Sequence, residues 1–206
     1  LSDGSLAFGT AAGGGAFCSE VKNFGFLTLQ CDQTFAAGDL DGQLTSSVIN
    51  TLGQLGDGTL LIGSSSCMVM AQFVEAGFAA EAFRGYCNGD GGGEGLSANN
   101  NVIIDITIDL ARDEAWVSTD ARSHRLVPDT SDVTNRDLQL FTRYDTNDGL
   151  PSNAIRRTAI APSGDVWFAT SAGAARLQNL GAAEIVTVFD TAAGAPANDM
   201  RDVAID

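Results

Sequence analysis

Residues 164–170, Gly-Asp-Val-Trp-Phe-Ala-Thr, form a phrase that recurs three more times in this chain of 206 residues. Each copy starts with two turn-forming or polar residues, continues with three mainly apolar residues and ends on a hydroxyl-bearing residue. This pattern is typical of a tight turn that leads into a short β-strand. The copies follow one another at intervals of roughly 50 residues, a period that indicates an array of small structural repeats. The other three copies occupy residues 4–10, 58–64 and 113–119.

The segments around the phrase predict the rest of each repeat. A turn rich in Gly, Pro, Ser and Asn and then an apolar strand precede each copy, and two further strands follow it. Four short strands per repeat predict an all-β fold, a β-propeller in which each repeat is one blade of four antiparallel strands. Residues 75–82 interrupt the second repeat, where we predict an insertion with a helical turn. The segments that precede the phrase are residues 42–49, 95–103, 149–155 and 194–200.

The first repeat lacks its inner strand, and a later part of the sequence supplies a candidate for it. Residues 199–206 resemble the inner strands, and read into residue 1 they complete the pattern. We therefore predict a single domain over residues 1–206, a ring of four blades that the strand 199–206 closes, because closure protects the apolar faces and edges of the terminal blades. Part of a larger ring, or a dimeric eight-bladed ring, has the same pattern and stays open as an alternative. The predicted blades are residues 199–206 with 1–40, 41–93, 94–147 and 148–193.

Residues 145–177 resemble a known repeat. They contain a Gly-Leu-Pro-Ser-Asn turn at 149–153 and the phrase at 164–170, and this order is similar to the repeat of the two-component regulator propeller family. The similarity extends to residues 194–206 joined to 1–15. Three positions depart from the family motif, since Ala7 and Leu61 stand in place of Trp and Asp113 in place of Gly. The resemblance implies a propeller of the kind found in extracytoplasmic sensing regions of membrane histidine kinases and in secreted surface proteins.

The four cysteines fall into two local pairs, Cys18 with Cys31 and Cys67 with Cys87. In the predicted strand order each pair joins the third and outermost strands of one blade, which are antiparallel neighbours within disulfide reach. Two disulfides predict an extracytoplasmic location, whether periplasmic, cell-surface or secreted. Four buried free thiols are the alternative. The spacings lack the closely spaced Cys-x-x-Cys pair that is typical of a zinc site.

The composition narrows the range of partners. The chain has a formal net charge of −15, which disfavours nucleic acid and anionic lipid surfaces, because both bind through clusters of Lys and Arg. No stretch reaches the roughly 18 apolar residues that span a bilayer, so we predict no direct membrane insertion. A protein or a small polar ligand is the expected partner, and a homo-oligomer or larger assembly stays open.

Catalytic and metal-binding residues are scarce. His124 is the only histidine, and we predict it as a surface strand residue and assign no catalytic residue. Acidic turns at 39–42, 88–90 and 145–149 would gather on one face of a propeller, where oxygen ligands could meet calcium. We assign no cofactor and leave calcium as a candidate metal.

The central opening of the predicted propeller is the best candidate for a binding site, because the inner strands line it and alternate their side chains. Their Arg and Asp side chains could recognise a small polar ligand or could neutralise one another. Trp116 and Trp167 are predicted to pack between blades. The candidate ligand-binding residues are Asn50, Asp105, Arg156, Arg157, Arg201 and Asp202.

These observations favour a non-catalytic extracytoplasmic β-propeller that binds or senses a ligand or a protein. Two alternatives are a structural subunit of a surface assembly or filament and a propeller enzyme of the lyase or lactonase type. The enzyme alternative requires a channel metal with His or carboxylate ligands, which a single histidine disfavours.

Overall fold

A computed structural model describes residues 6–23, 26–40, 42–74, 77–87, 96, 102–135 and 138–206. Antiparallel strands dominate it, and helical structure in the described residues is limited to short 3-10 turns such as Thr146–Asp148 and Thr191–Ala193. The strands form four sheets, each built from consecutive strands of the chain. The predicted all-β propeller class with four blades is therefore confirmed.

Sheets 1 and 2 come from the first two repeats. Sheet 1 has three strands and sheet 2 has four, and neighbours in the chain are neighbours in the sheet. The strands of sheet 1 are β1 (Leu6–Gly9), β2 (Gly15–Asn23) and β3 (Phe26–Phe35), and those of sheet 2 are β4 (Ile49–Gln54), β5 (Leu60–Ser64), β6 (Cys67–Val74) and β7 (Gly77–Cys87).

Sheets 3 and 4 come from the last two repeats and have four strands each. The strands of sheet 3 are β8 (Ile103–Asp109), β9 (Glu114–Thr119), β10 (Ser123–Val127) and β11 (Leu140–Tyr144), and those of sheet 4 are β12 (Ile155–Ile160), β13 (Val166–Thr170), β14 (Gly173–Gln178) and β15 (Ile185–Phe189).

The hydroxyl residue that ends each phrase closes the hairpin that follows it. In sheet 4 the Thr170 hydroxyl donates to the carbonyl oxygen of Gly173 at 2.7 Å. A short polar side chain at this point adds a hydrogen bond to the turn carbonyl, whose oxygen has two lone pairs. The same contact links Thr10 to Gly14, Ser64 to Cys67 and Thr119 to Arg122.

The three apolar residues of the phrase pack on two different neighbours. Leu60 and Ile62 join the core between sheets 1 and 2, whereas Leu61 joins the core between sheets 2 and 3. Alternation along the strand causes this division, since successive side chains point to opposite faces. Trp116 follows the rule as the counterpart of Leu61, because it packs between sheets 3 and 4 with its ring centroid 5.5 Å from that of Phe168. The prediction of packing between blades is confirmed for Trp116 and is wrong for Trp167, which is partly exposed and stacks on Phe189 of its own sheet.

The predicted closing strand is wrong. Residues 199–206 form no strand, and β1 pairs with β2 alone among the described residues. The backbone N–H of Met200 donates to the Thr170 carbonyl at 2.9 Å, as that of Ile49 donates to the Thr10 carbonyl at 2.9 Å. Residues 199–206 therefore start where the inner strand of a following blade would start, beside sheet 4 and not beside β1.

The apolar cores repeat this row-like order. They lie between sheets 1 and 2, 2 and 3, and 3 and 4, and the described residues form none between sheets 4 and 1. The helical turn predicted for residues 75–82 is also wrong where the structure describes it, because β7 already begins at Gly77. Val74 pairs with Gly77, so β6 and β7 continue as one hairpin, whereas a single isolated helical turn is unfavourable to nucleate.

Candidate ligand site on the inner strands

Each described inner strand contains a β-bulge near its start. The register with the second strand shifts between Ile49 and Thr51, between Ile103 and Asp105, and between Ile155 and Arg157. A bulge inserts one extra residue and re-aims the side chains on either side of it. The six predicted site residues lie at or next to these bulges. Asn50 and Arg156 occupy the bulged position, and Asp105 and Arg157 follow it. Arg201 and Asp202 are the counterparts of these two positions in residues 199–206.

The positions that follow the bulge form a series of contacts between sheets, which we call the inner ladder, made of Thr51, Asp105, Arg157 and Asp202. The backbone N–H of Ile106 donates to the Thr51 hydroxyl at 3.1 Å, which joins sheet 3 to sheet 2. Asp105 then joins sheet 3 to sheet 4, since it accepts from the Thr158 N–H at 2.8 Å and pairs with the Arg157 guanidinium at 3.0 Å.

The inner ladder brings together three of the predicted site residues. Arg157 lies 3.0 Å from Asp105 and 4.0 Å from Asp202, measured between the charged nitrogen and oxygen atoms. The Asp105 side chain is buried, whereas about half of Arg157 is exposed. The Asp105 carboxylate also accepts from the Thr107 hydroxyl at 3.2 Å, so both of its oxygens are engaged. Asp105 therefore links the sheets, and only the outer side of Arg157 is open to a ligand.

The bulged positions carry a second cluster, which we call the arginine clamp, made of Arg156, Asp199 and Arg201. The guanidinium nitrogens of Arg156 and Arg201 lie 3.6 and 2.7 Å from the carboxylate oxygens of Asp199. Arg201 is 75% exposed at the side chain and Arg156 is 38% exposed. Two guanidiniums share one carboxylate, so the clamp carries an excess positive charge on a strongly acidic chain.

Asn50 lies apart from both clusters. Its side-chain amide donates to the Ile103 carbonyl at 2.8 Å and so bridges sheets 2 and 3. Asp199 was not predicted as a site residue. The signal was present in the sequence, because the corresponding residue before each of the other inner strands is apolar, namely Val48, Val102 and Ala154.

The turn at residues 145–149 uses its acidic residues to cap a 3-10 helix. The Asp145 carboxylate accepts from the Asn147 N–H at 2.8 Å, and the Asp148 carboxylate accepts from the Asp145 N–H at 2.9 Å. Gly149 then takes a left-handed conformation with φ 98°, which favours glycine. These hydrogen bonds explain the acidic residues of segment 145–149 as parts of a capped turn.

The Asn of the Gly-Leu-Pro-Ser-Asn turn completes the same cap. Asn153 accepts from the Thr146 N–H at 2.8 Å, and Asn198 accepts from the Thr191 N–H at 2.8 Å in the next turn. The described residues contain no group of three or more His, Cys, Asp or Glu side chains arranged to hold a metal ion. Asp41 and residues 88–90, from the other two predicted calcium turns, lie outside the described residues.

His124 is buried, with 2% of its surface exposed, so the prediction of a surface residue is wrong. It lies on β10 and packs edge-on against Phe141, with ring centroids 6.5 Å apart. Burial, with the nearby positive charge of Arg122, lowers the pKa of the imidazole from 6.5 to about 4. The ring is therefore neutral at physiological pH.

This burial makes stability depend on pH. Between pH 6.5 and pH 4 the unfolded chain binds a proton at His124 that the folded chain does not. His124 therefore leaves the free energy of unfolding unchanged above pH 6.5 and lowers it as the pH falls. At pH 4 and below, the free energy of unfolding is lower by about 3 kcal/mol for this reason, and His124→Leu should abolish this decrease. Urea unfolding of both proteins from pH 7 to pH 4 measures the difference. Parallel curves for the two proteins would contradict the assignment.

Both predicted disulfides are present, Cys18–Cys31 between β2 and β3 and Cys67–Cys87 between β6 and β7. None of the four cysteines is free, which excludes the alternative of free thiols. Disulfides persist outside the reducing cytosol, which confirms the predicted extracytoplasmic location. Within the described part of the chain, no helix has the length and hydropathy needed to cross a bilayer.

No family model and no curated protein matches this chain. Solved structures do match. The extracellular domain assigned to a hybrid two-component system, BT3049 from B. thetaiotaomicron, superposes with a TM-score of 0.70 at 15% identity, over 96% of this chain and 23% of that chain. The extracellular domain assigned to the one-component system BT4673 of the same organism superposes with a TM-score of 0.62 at 15% identity, over 98% of this chain and 23% of that chain.

YCF48 from Cyanidioschyzon merolae also matches, with a TM-score of 0.55 at 14% identity, over 95% of this chain and 58% of that chain. The chain spans 23% of the length of each of the first two structures. Identities this low show a shared fold and nothing finer. The comparisons therefore agree with the propeller-like, all-β architecture that the repeats predict.

Proposed function

We propose that this chain is a non-catalytic, extracytoplasmic sensing module that binds an anionic small molecule at the arginine clamp. One observation carries the proposal, the excess of positive charge where Arg156 and Arg201 flank Asp199. Two guanidiniums have about ten N–H donors between them, far more than one carboxylate engages. The planar fork of a guanidinium matches the two oxygens of a ligand carboxylate.

The comparisons support the sensing part of the proposal, because the first two matching structures are extracellular domains assigned to signalling systems. The side chains of the clamp suit binding better than catalysis. Arginine stays protonated throughout the physiological range and so is a poor general base. His124, the chain's only histidine, is buried on the third strand of sheet 3 and cannot serve the inner strands. No observation favours the lyase or lactonase alternative.

Isothermal titration calorimetry with acetate, succinate and citrate tests the proposal. We expect citrate to bind most tightly, and Arg156→Ala and Arg201→Ala each to weaken it by about tenfold, which corresponds to one charge-assisted hydrogen bond. Arg201→Lys should keep part of the affinity, because it preserves the charge and loses the fork.

Arg143→Ala is the matched control. Arg143 lies on β11, is about as exposed as the clamp arginines and pairs with Asp145 at 3.2 Å, but it is far from the inner strands in the sheet order. We expect this variant to bind citrate as the unmodified chain does. The absence of any heat of binding would contradict the clamp as a binding site, and so would an equal loss of citrate affinity in the Arg143 variant. Conversion of citrate, followed by NMR, would contradict the non-catalytic role.

A further inference from the structure

The bulged position of the inner strands is open to solvent even where a sheet lies on each side. Asn50 is exposed although sheets 1 and 3 flank its strand, and Ile104, the bulged residue of β8, is partly exposed between sheets 2 and 4. The opening is therefore a property of the position in the repeat. We call the four residues at this position the bulge row, and they are Asn50, Ile104, Arg156 and Arg201.

Ile104 is the apolar member of the bulge row, and it gives up a contact that the neighbouring sheet makes. The side-chain amide of Asn50 crosses to the next inner strand and donates to the carbonyl of Ile103 at 2.8 Å. Isoleucine has no donor or acceptor on its side chain, so it cannot make this bridge. An asparagine at position 104 would face the equivalent carbonyl, that of Ile155, and could join sheet 3 to sheet 4 in the same way.

Packing within the fold does not explain this isoleucine either. The strand β8 contains four isoleucines, and Ile103, Ile106 and Ile108 pack in the core between sheets 2 and 3. Ile104 belongs to none of the three apolar cores that the described residues form. Its side chain remains partly in contact with water and gains little from folding. The apolar surface of Ile104 is therefore available to a ligand.

Ile104 also lies next to the arginine clamp. The residue after it, Asp105, pairs at 3.0 Å with Arg157, which is the residue after Arg156. Ile104 and Arg156 thus occupy matching positions on two inner strands that are in direct contact. The bulge row places an aliphatic side chain beside the two guanidiniums of the clamp.

We propose that Ile104 determines the specificity of the arginine clamp by binding the apolar part of a ligand whose carboxylate lies between Arg156 and Arg201. This inference rests on the proposed function and narrows the ligand to a carboxylate with an apolar body. The guanidiniums fix the polar end by charge-assisted hydrogen bonds, and Ile104 removes part of the apolar body from water.

Isothermal titration calorimetry with acetate and hexanoate tests the inference, because these acids share the carboxylate and differ only in the length of the apolar chain. We expect hexanoate to bind about tenfold more tightly, since part of its chain leaves water on Ile104. Ile104→Asn should abolish this difference and leave the affinity for acetate unchanged. Arg201→Ala should weaken the binding of both acids to the same extent.

The stability of the Ile104→Asn variant distinguishes a ligand contact from a structural role. Sheet 2 already has asparagine at this position, so we expect the variant to fold and its free energy of unfolding in urea to be unchanged or higher. Leu110→Asn is the matched control, because Leu110 is 72% exposed just beyond the other end of β8. This variant should keep the preference for hexanoate.

The possible outcomes separate this inference from the clamp itself. Equal affinities for acetate and hexanoate in the unmodified chain would overturn the role of Ile104 and leave the clamp standing, whereas failure of both acids to bind would overturn both. A preference for hexanoate that survives Ile104→Asn would place the apolar contact elsewhere. A large loss of stability in this variant would make Ile104 a structural residue and would also overturn the inference.

Discussion

Trp116→Ala is expected to lower the free energy of unfolding by about 4 kcal/mol, the usual cost of removing a large aromatic side chain from a packed core. Trp116 is 0% exposed and contacts both Tyr144, at 5.1 Å between ring centroids, and Phe168 of the next sheet, at 5.5 Å. Its loss leaves a cavity between sheets 3 and 4 that the strands are too constrained to fill. Urea denaturation followed by circular dichroism measures the change.

Trp167→Ala is the matched control. It removes the same side chain from the same position of the repeat, but from a partly exposed face of sheet 4. We expect a loss of about 1 to 2 kcal/mol, since less apolar surface leaves water there on folding. The comparison is made at a concentration where the chain is monomeric. Equal losses in the two variants would show that Trp116 does not hold sheets 3 and 4 together.

Removal of the Cys67–Cys87 disulfide by the double change Cys67→Ala and Cys87→Ala is expected to cost about 3 kcal/mol. The two residues are separated by 20 positions in the sequence, and the bond excludes the open conformations of that loop from the unfolded ensemble. Cys67 is completely buried on β6 and lies on the same face as Val69 of the core between sheets 1 and 2, so the change also removes packing on that face. Urea denaturation of the double variant beside the unmodified chain gives the value.

The second disulfide provides the comparison. Cys18 and Cys31 are separated by 13 positions, so the same entropic argument gives a slightly smaller loss for Cys18→Ala with Cys31→Ala. Addition of dithiothreitol should lower the unfolding midpoint of the unmodified chain and leave a variant without any of the four cysteines unchanged. A midpoint that does not move on verified reduction of both bonds would contradict the prediction.

The strands could be predicted well because the signal for them is local. Residues 60–64 and 166–170 form strands where the repeated phrase predicts them, since a turn and an alternating apolar run define each strand within a few residues. Both disulfides could be predicted from the same local information, because the order of strands within each repeat places the paired cysteines on neighbouring strands. The fate of residues 199–206 could not be predicted, because a strand-like sequence does not specify which edge it will meet.

Burial and contacts across sheets were harder to predict than strands. His124 is polar and stands in a strand with mixed character, so nothing in the local sequence distinguishes a buried position from an exposed one. The six candidate site residues were selected for lying on inner strands, and their division into an inner ladder and an arginine clamp depends on β-bulges. The sequence has no clear signal for these bulges.

Asp113 shows how a departure from the repeat can have a structural reason. It stands where the other phrases have Gly and adopts φ 54°, a conformation that costs an ordinary side chain about 1 kcal/mol. Its carboxylate accepts a hydrogen bond from the Gly56 N–H of the preceding sheet at 2.9 Å. A glycine would relieve the strain at the turn and lose this connection between sheets 2 and 3.

The inner ladder and the three cores join each sheet only to the sheets beside it among the described residues. Cooperativity in such a molecule is a nearest-neighbour property, as in other linear arrays. Damage at one junction then divides the protein into two smaller blocks instead of weakening all of it evenly. The junction that contains Trp116 and Asp105 lies between sheets 3 and 4, so damage there would leave three blades on one side, two of which carry the disulfides, and the fourth blade with the arginine clamp on the other.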